Sequence, residues 1–159
     1  MKEIISRSLE ETQKIAKEWL ADLSSSIKDG GKATVVGLSG HLGAGKTAFV
    51  KAVAQELGIS ETVTSPTFVI MKIYEIKKQS APPFNISWKR MIHIDAYRLD
   101  RGEEMEALGF ADLIADPANL VFIEWPENIK KAMMDIADLR VIRLSILDEN
   151  AKAREFVFE

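Results

Sequence analysis

The stretch Gly40-His41-Leu42-Gly43-Ala44-Gly45-Lys46-Thr47 carries the spacing G-x-x-x-x-G-K-[ST] in full. That spacing suits the grip of a polyphosphate. Glycines at 40, 43 and 45 let the backbone turn so that successive N–H groups point inward and form an anion nest. A helix opening at the end of the nest adds its positive dipole end at the same point. Lys46 contributes a mobile positive charge for the outer phosphates, and Thr47 a hydroxyl ligand for Mg2+. The plain alternative is a glycine-rich turn with an incidental lysine. Such a turn would not require a buried strand before it and a helix after it, and both are predicted here. No N-K-x-D stretch and no D-x-x-G stretch occurs, so ATP is favoured over GTP by exclusion.

Phosphate chemistry on such a loop also needs an acid at the end of a neighbouring buried strand. Two places fit. Val121-Phe122-Ile123-Glu124 is apolar up to its acid, and Met91-Ile92-His93-Ile94-Asp95 alternates more but also ends in one. Either acid could equally be an ordinary strand-exit residue meeting solvent, and the residue pattern does not rank the two. Two acids beside one triphosphate would divide the work, one on the metal and one orienting the attacking water.

The elements that must position these groups follow from periodicity and punctuation. Ser8-Leu9-Glu10-Glu11 is a capping-box pattern. Thr12, Ile15, Ala16, Trp19, Leu20, Leu23 and Ile27 then follow helical spacing, and Gly30-Gly31 stops the helix. Ala33 to Leu38 reads as a buried strand, and a second helix begins near Lys46 with Phe49, Ala52, Val53 and Leu57 inward and Gly58 closing it. Thr62 to Thr67 is a polar loop. Phe68 to Ile76 reads as a long strand, residues 77–90 as a surface loop and Met91 to Asp95 as a short strand. Residues 102–115 read as short helices broken near Gly109, and Leu120 to Glu124 as a buried strand. Pro126 starts a helix carrying Met133 and Met134, both read as core filling. Leu139–Leu147 and Ala153–Phe158 are strands joined by a turn at Asp148-Glu149-Asn150. Alternating strands and helices predict an α/β layered domain with a mixed sheet and antiparallel additions.

Composition bounds the rest. The 159 residues are 47% apolar and 28% charged with a net charge of −3, which fits one ordered domain spanning 1–159 and argues against disorder. With no cysteine there is no thiolate zinc site, thiol nucleophile or disulfide, and two histidines leave little for a metal cluster. Neither a secretory leader nor a run long enough to span a membrane is read, so the expected setting is cytoplasmic, with no membrane partner. The mildly acidic balance argues against tight autonomous binding to nucleic acid.

Several stretches together are similar to one family. Beside the loop at 40–47, the chain has Val63-Thr64-Ser65-Pro66-Thr67-Phe68, His93-Ile94-Asp95-Ala96-Tyr97-Arg98-Leu99, Leu108-Gly109 and Val121-Phe122-Ile123-Glu124-Trp125, in that order. In this it resembles the TsaE-type P-loop ATPases of bacterial tRNA threonylcarbamoyladenosine biosynthesis, over roughly residues 8 to 129. The resemblance implies a P-loop NTPase-like fold, ATP and Mg2+ as cofactors, and action on the TsaB–TsaD pair, with tRNA met indirectly through that complex. Its implied nucleotide-binding set is Thr12, Gly40, Leu42, Gly43, Ala44, Gly45, Lys46, Thr47 and Ala48. Thr47 and Glu124 would hold the metal, and Lys46, Asp95 and Glu124 would be catalytic. Thr64, Ser65 and Thr67 would lie in a switch-like loop near the γ-phosphate, and Trp125 beside the metal acid. His41 stands where the family usually has aspartate.

Lesser features have two readings each. His93 is either a hydrogen-bonding neighbour of Asp95 or an ordinary strand-face histidine. Arg98 and Arg101 would stabilise transition-state charge or form surface ion pairs. Lys72, Lys77, Lys78, Lys89 and Arg90, with Phe84 and Trp88, would touch tRNA or an acidic partner, or form a solvated loop. The rival functions are a small-molecule P-loop kinase and a nucleotide-gated binding module without turnover. The kinase is weakened because Arg140, Arg143 and Arg154 all fall in predicted strands rather than a lid.

Overall fold

A computed structural model describes residues 2–27, 31–77, 87–99, 103–136, 138–148 and 152–159. The strands are β1 (Lys2–Ser6), β2 (Thr34–Ser39), β3 (Met71–Glu75), β4 (Arg90–Asp95), β5 (Asn119–Glu124), β6 (Leu139–Asp148) and β7 (Ala153–Phe158). The helices are α1 (Leu9–Ser26), α2 (Lys46–Glu56), α3 (Glu103–Ala107), α4 (Phe110–Ala115) and α5 (Lys130–Met134), the last entered through a 3-10 turn at Pro126–Ile129. One seven-stranded sheet runs in the order β1-β7-β6-β2-β5-β4-β3. Its middle strands β6, β2, β5 and β4 are parallel, while β3 and the β7–β1 pair are antiparallel additions.

The sheet is mixed and flanked by helices, an α/β P-loop NTPase-like layered architecture. All six residues of β5 are buried, which explains its apolar run: both faces are covered. Leu120 and Phe122 pack with Leu20 of α1 and Phe49 and Val53 of α2. Val121 and Ile123 pack on the other face with Met105, Phe110 and Met133 from α3, α4 and α5. Burial of a side chain such as Phe122 or Leu20 contributes about 1.5–3 kcal/mol relative to exposure. Gly37 brings the 3-10 turn close to β2, since a Cβ there would stand 3.2 Å from Pro126 Cγ.

Helix α1 starts at the expected cap. Ser8 Oγ accepts from the Glu11 N–H at 3.1 Å, and Glu11 Oε2 reaches back to the Arg7 N–H at 2.6 Å. Several expectations are corrected. The long strand Phe68–Ile76 is only Met71–Glu75. Pro66 O accepts the N–H groups of Val69 and Ile70, turning the chain before it can pair, and Phe68 is left 85% exposed. Trp88 does not belong to a solvated surface: it is buried and its Nε1–H donates to Thr34 Oγ1 at 3.1 Å. Met133 fills the core, but Met134 is exposed. Strand β1 carries no apolar run and was not expected. Lys78, Phe84, Arg101 and the turn residues Glu149 and Asn150 lie outside the described residues.

Candidate functional site

The site forms where the central parallel strands end. Register pairs Leu38 of β2 with Glu124 of β5, and Glu124 with Asp95 of β4, so the two acids sit side by side at the level where β2 gives way to the 40–45 loop. The loop needs its glycines. Gly40 has φ +149°, and a Cβ there would stand 2.3 Å from the Leu144 carbonyl oxygen of β6; Gly43 and Gly45 also have positive φ. Helix α2 opens at Lys46, so its unpaired first-turn N–H groups face the same space.

Lys46 is buried. Its Nζ donates to the carbonyls of Gly40 and His41, the latter at 3.1 Å, and lies 4.0 Å from the centroid of the Trp125 ring. Burial pushes its pKa below the ordinary lysine value, while the charges of Glu124, Glu127 and Asp95 act in the opposite direction. Trp125 takes a left-handed φ of 60°, its N–H donates to Leu38 O at 3.1 Å, and Tyr97 packs on its ring at 5.1 Å.

Glu124 is buried and doubly held. Thr47 Oγ1 donates to its Oε1 at 2.8 Å, and His93 Nε2 lies 2.8 Å from the same oxygen. Of the two readings of His93, the one that set it beside Asp95 is corrected: the carboxylate its ring meets is that of Glu124. Asp95 is held by other groups: Thr67 Oγ1 donates to Oδ2 at 2.7 Å and the Tyr97 N–H to Oδ1 at 2.9 Å. Ser65 Oγ lies 2.6 Å from Thr67 Oγ1, which links the 65–67 segment to this acid. Thr64 accepts from Lys72 Nζ.

Thr12 and Ala48 come together with Gln13, Lys51 and Gln55 around a cavity of about 310 Å³ between α1 and α2. Thr12 Oγ1 also lies 2.8 Å from Ser6 Oγ. Ala44 is buried, whereas the Leu42 side chain is 82% exposed and points away from the loop's interior. Arg98 lies over the Phe68 ring at 4.9 Å. Arg154 was missed by sequence reasoning: its Nε–H donates to Gly43 O at 3.3 Å, tying β7 to the loop. No local pattern signals a contact made across the sheet.

Among the described residues no group of three His, Cys, Asp or Glu side chains is placed to hold a metal. The hydroxyl of Thr47 and the carboxylate of Glu124 are a hard, all-oxygen pair. Such a pair suits Mg2+, which keeps several of its waters, and does not suit zinc. Among the described residues no helix is long and apolar enough to cross a membrane.

The chain matches the family model described as TsaE, threonylcarbamoyl adenosine biosynthesis protein, over residues 6–156. It is 34% identical over 154 residues to the tRNA threonylcarbamoyladenosine biosynthesis protein TsaE of Aquifex aeolicus, covering 96% of this chain and 92% of that one. The protein of the same name from Streptomyces coelicolor is 36% identical over 111 residues, covering 69% and 68%. The crystal structure of Bacillus subtilis YdiB superposes with a TM-score of 0.65 at 25% identity, covering 99% of this chain and 83% of that one.

Proposed function

The chain belongs to the TsaE family of threonylcarbamoyl adenosine biosynthesis proteins, and from that premise we propose that it is a Mg2+-dependent ATPase of tRNA threonylcarbamoyladenosine modification that acts on the TsaB–TsaD complex. The observation that carries the reading is the 2.8 Å contact of Thr47 with Glu124 at the mouth of the glycine loop. It joins the first turn of the phosphate-binding helix to the end of the neighbouring strand, where a triphosphate's metal is held in P-loop enzymes. Bound Mg2+ would supply neutralisation of charge on the β- and γ-phosphate oxygens.

In this reading the amides of 40–45 and the start of α2 cradle the phosphates, and Thr12 and Ala48 lie toward the adenine end. Lys46 exchanges the Gly40 and His41 carbonyls and the Trp125 ring for an outer phosphate oxygen. Thr47 and Glu124 hold the metal, and Asp95, fixed by Thr67 and the Tyr97 N–H, orients the attacking water. Exposed Leu42, Phe68, Val69 and Tyr97 surround this region and offer apolar contact to a protein partner. ATP binding and hydrolysis would drive association and reset of the TsaB–TsaD assembly in the cytoplasm, with tRNA reached only through it.

Phosphate release, measured with and without TsaB–TsaD, tests the reading. Hydrolysis is expected to depend on Mg2+ and to disappear in Lys46→Ala, Thr47→Ala and Glu124→Ala, while Asp95→Ala loses turnover more than binding. Wild-type turnover in any of the first three refutes the assignment. ADP formed only with a small-molecule acceptor would indicate a kinase, and no ADP in any setting a binding module. Co-purification of TsaB–TsaD with and without non-hydrolysable ATP tests the partner.

A further inference from the structure

We propose that His93 is a positioning residue for Glu124, and that its hydrogen bond sets the affinity of the Thr47–Glu124 pair for Mg2+; the inference rests on the reading of that pair as the metal site. His93 lies in β4 with no exposed surface, between Lys72 of β3 and Phe122 of β5 in the sheet register. One ring nitrogen, Nε2, stands 2.8 Å from Glu124 Oε1. The other, Nδ1, is buried and has no hydrogen-bond partner among the described residues.

Those two facts place the ring hydrogen. An N–H at Nδ1 would be a buried donor with no acceptor, whereas an N–H at Nε2 points at a carboxylate oxygen. The geometry therefore assigns the hydrogen to Nε2 and makes His93 the donor. The orphaned Nδ1 is itself unfavourable, since buried polar atoms are ordinarily paired. A hydrocarbon side chain of similar size would fill the same space without it. What such a side chain cannot supply is the bond to Glu124.

Oε1 of Glu124 accepts from both Thr47 and His93. The Thr47 oxygen is itself a proposed ligand, so its hydroxyl has a second task. His93 has none, and a rigid ring packed inside the sheet keeps the carboxylate aimed. Outer partners of this kind typically change metal affinity 10–100-fold when removed. Asp95 is held separately, its oxygens accepting from Thr67 and the Tyr97 N–H, while the ring's Nε2 meets Glu124.

The test titrates Mg2+ against binding of a fluorescent ATP analogue to the full chain, with an EDTA baseline, in wild type, His93→Leu and His93→Gln. Gln places an amide N–H where Nε2 stands; Leu does not. His93→Leu is expected to raise the half-saturating Mg2+ concentration about 10–100-fold. Its analogue affinity in EDTA should match wild type, and His93→Gln should recover most of the Mg2+ affinity. If His93→Leu does not fold, the more adaptable His93→Met against His93→Gln carries the same comparison. An unchanged Mg2+ requirement in the apolar variant, or equal losses in the apolar and Gln variants, overturns the role of His93 alone. Analogue binding by the wild type that ignores Mg2+ overturns the metal reading of Thr47 and Glu124, and the role of His93 with it.

Discussion

Gly40→Ala measures how tightly the phosphate loop is pressed on the sheet. The added Cβ would meet the Leu144 carbonyl oxygen at 2.3 Å, roughly 1 Å inside ordinary contact. Leu144 belongs to β6 and is paired with Phe156 of β7, the β2 ladder ending one residue earlier at Arg143, so its carbonyl can back away from the loop only by displacing the β6–β7 pair. A non-glycine residue at φ +149° adds strain of about 1–3 kcal/mol. Overpacking contributes about 1–3 kcal/mol more. The sum, about 2–6 kcal/mol, corresponds at ~2–4 °C per kcal/mol for a chain of this size to a fall in Tm of about 4–24 °C. Gly43→Ala is the control. Gly43 also has positive φ, but among the described residues nothing lies within 4 Å of its Cβ position. Its cost is the left-handed conformation alone, about 1–2 kcal/mol, partly offset by about 0.4–1 kcal/mol from a less flexible unfolded chain. Thermal melts of both variants without nucleotide make the comparison. Melting temperatures within about 2 °C of each other would refute the argument that the Leu144 carbonyl confines the loop.

Other outcomes follow from the same geometry. Thr67→Val removes a donor from Asp95 and is expected to slow single-turnover hydrolysis about tenfold or more with analogue binding unchanged; Thr67→Ser should restore it, and a binding loss equal to the rate loss would refute the coupling. Burial lowers the Lys46 pKa, so between that lowered value and the ordinary 10.5 the unfolded chain binds more protons than the folded one. Stability contributed by Lys46 therefore rises with pH through that window and is absent below it. The Tm of wild type should climb relative to Lys46→Met as the pH rises toward 10.5, and a relative fall contradicts the sign. ATP binding should change Trp125 emission as Lys46 leaves its ring, and Trp125→Phe should abolish that change; buried Trp88, bonded to Thr34, should report nothing.

Elements held by local physics were readable in advance. The capping residues of α1, its helical stripe, the apolar run of β5 and the glycine loop each carry their cause within a few neighbouring residues. Strand β1 does not: Lys2–Ser6 becomes a strand because β7 pairs with it from the other end of the chain. Phe68 and Val69 looked like strand because they are apolar, yet the Pro66 carbonyl takes the amides of Val69 and Ile70 and ends the ladder early. At the site, both acids were visible as strand ends, but apart from Thr47 beside Glu124 their hydrogen-bond partners were not. Which acid His93 meets depends on how β4 lies on β5, and the tie from Arg154 to Gly43 depends on where β7 passes the loop. Neither leaves a trace in local spacing.

Gly37 gives the turn after β5 its closeness to the central strand, with Pro126 Cγ 3.2 Å from where a methyl would begin. Pro126 directly follows Trp125, the aromatic platform on which the Lys46 ammonium rests. A larger residue at 37 would shim the two apart by a few tenths of an ångström and tilt that platform. The parking place of a charged side chain is thus gauged from beneath by a position that has no side chain at all.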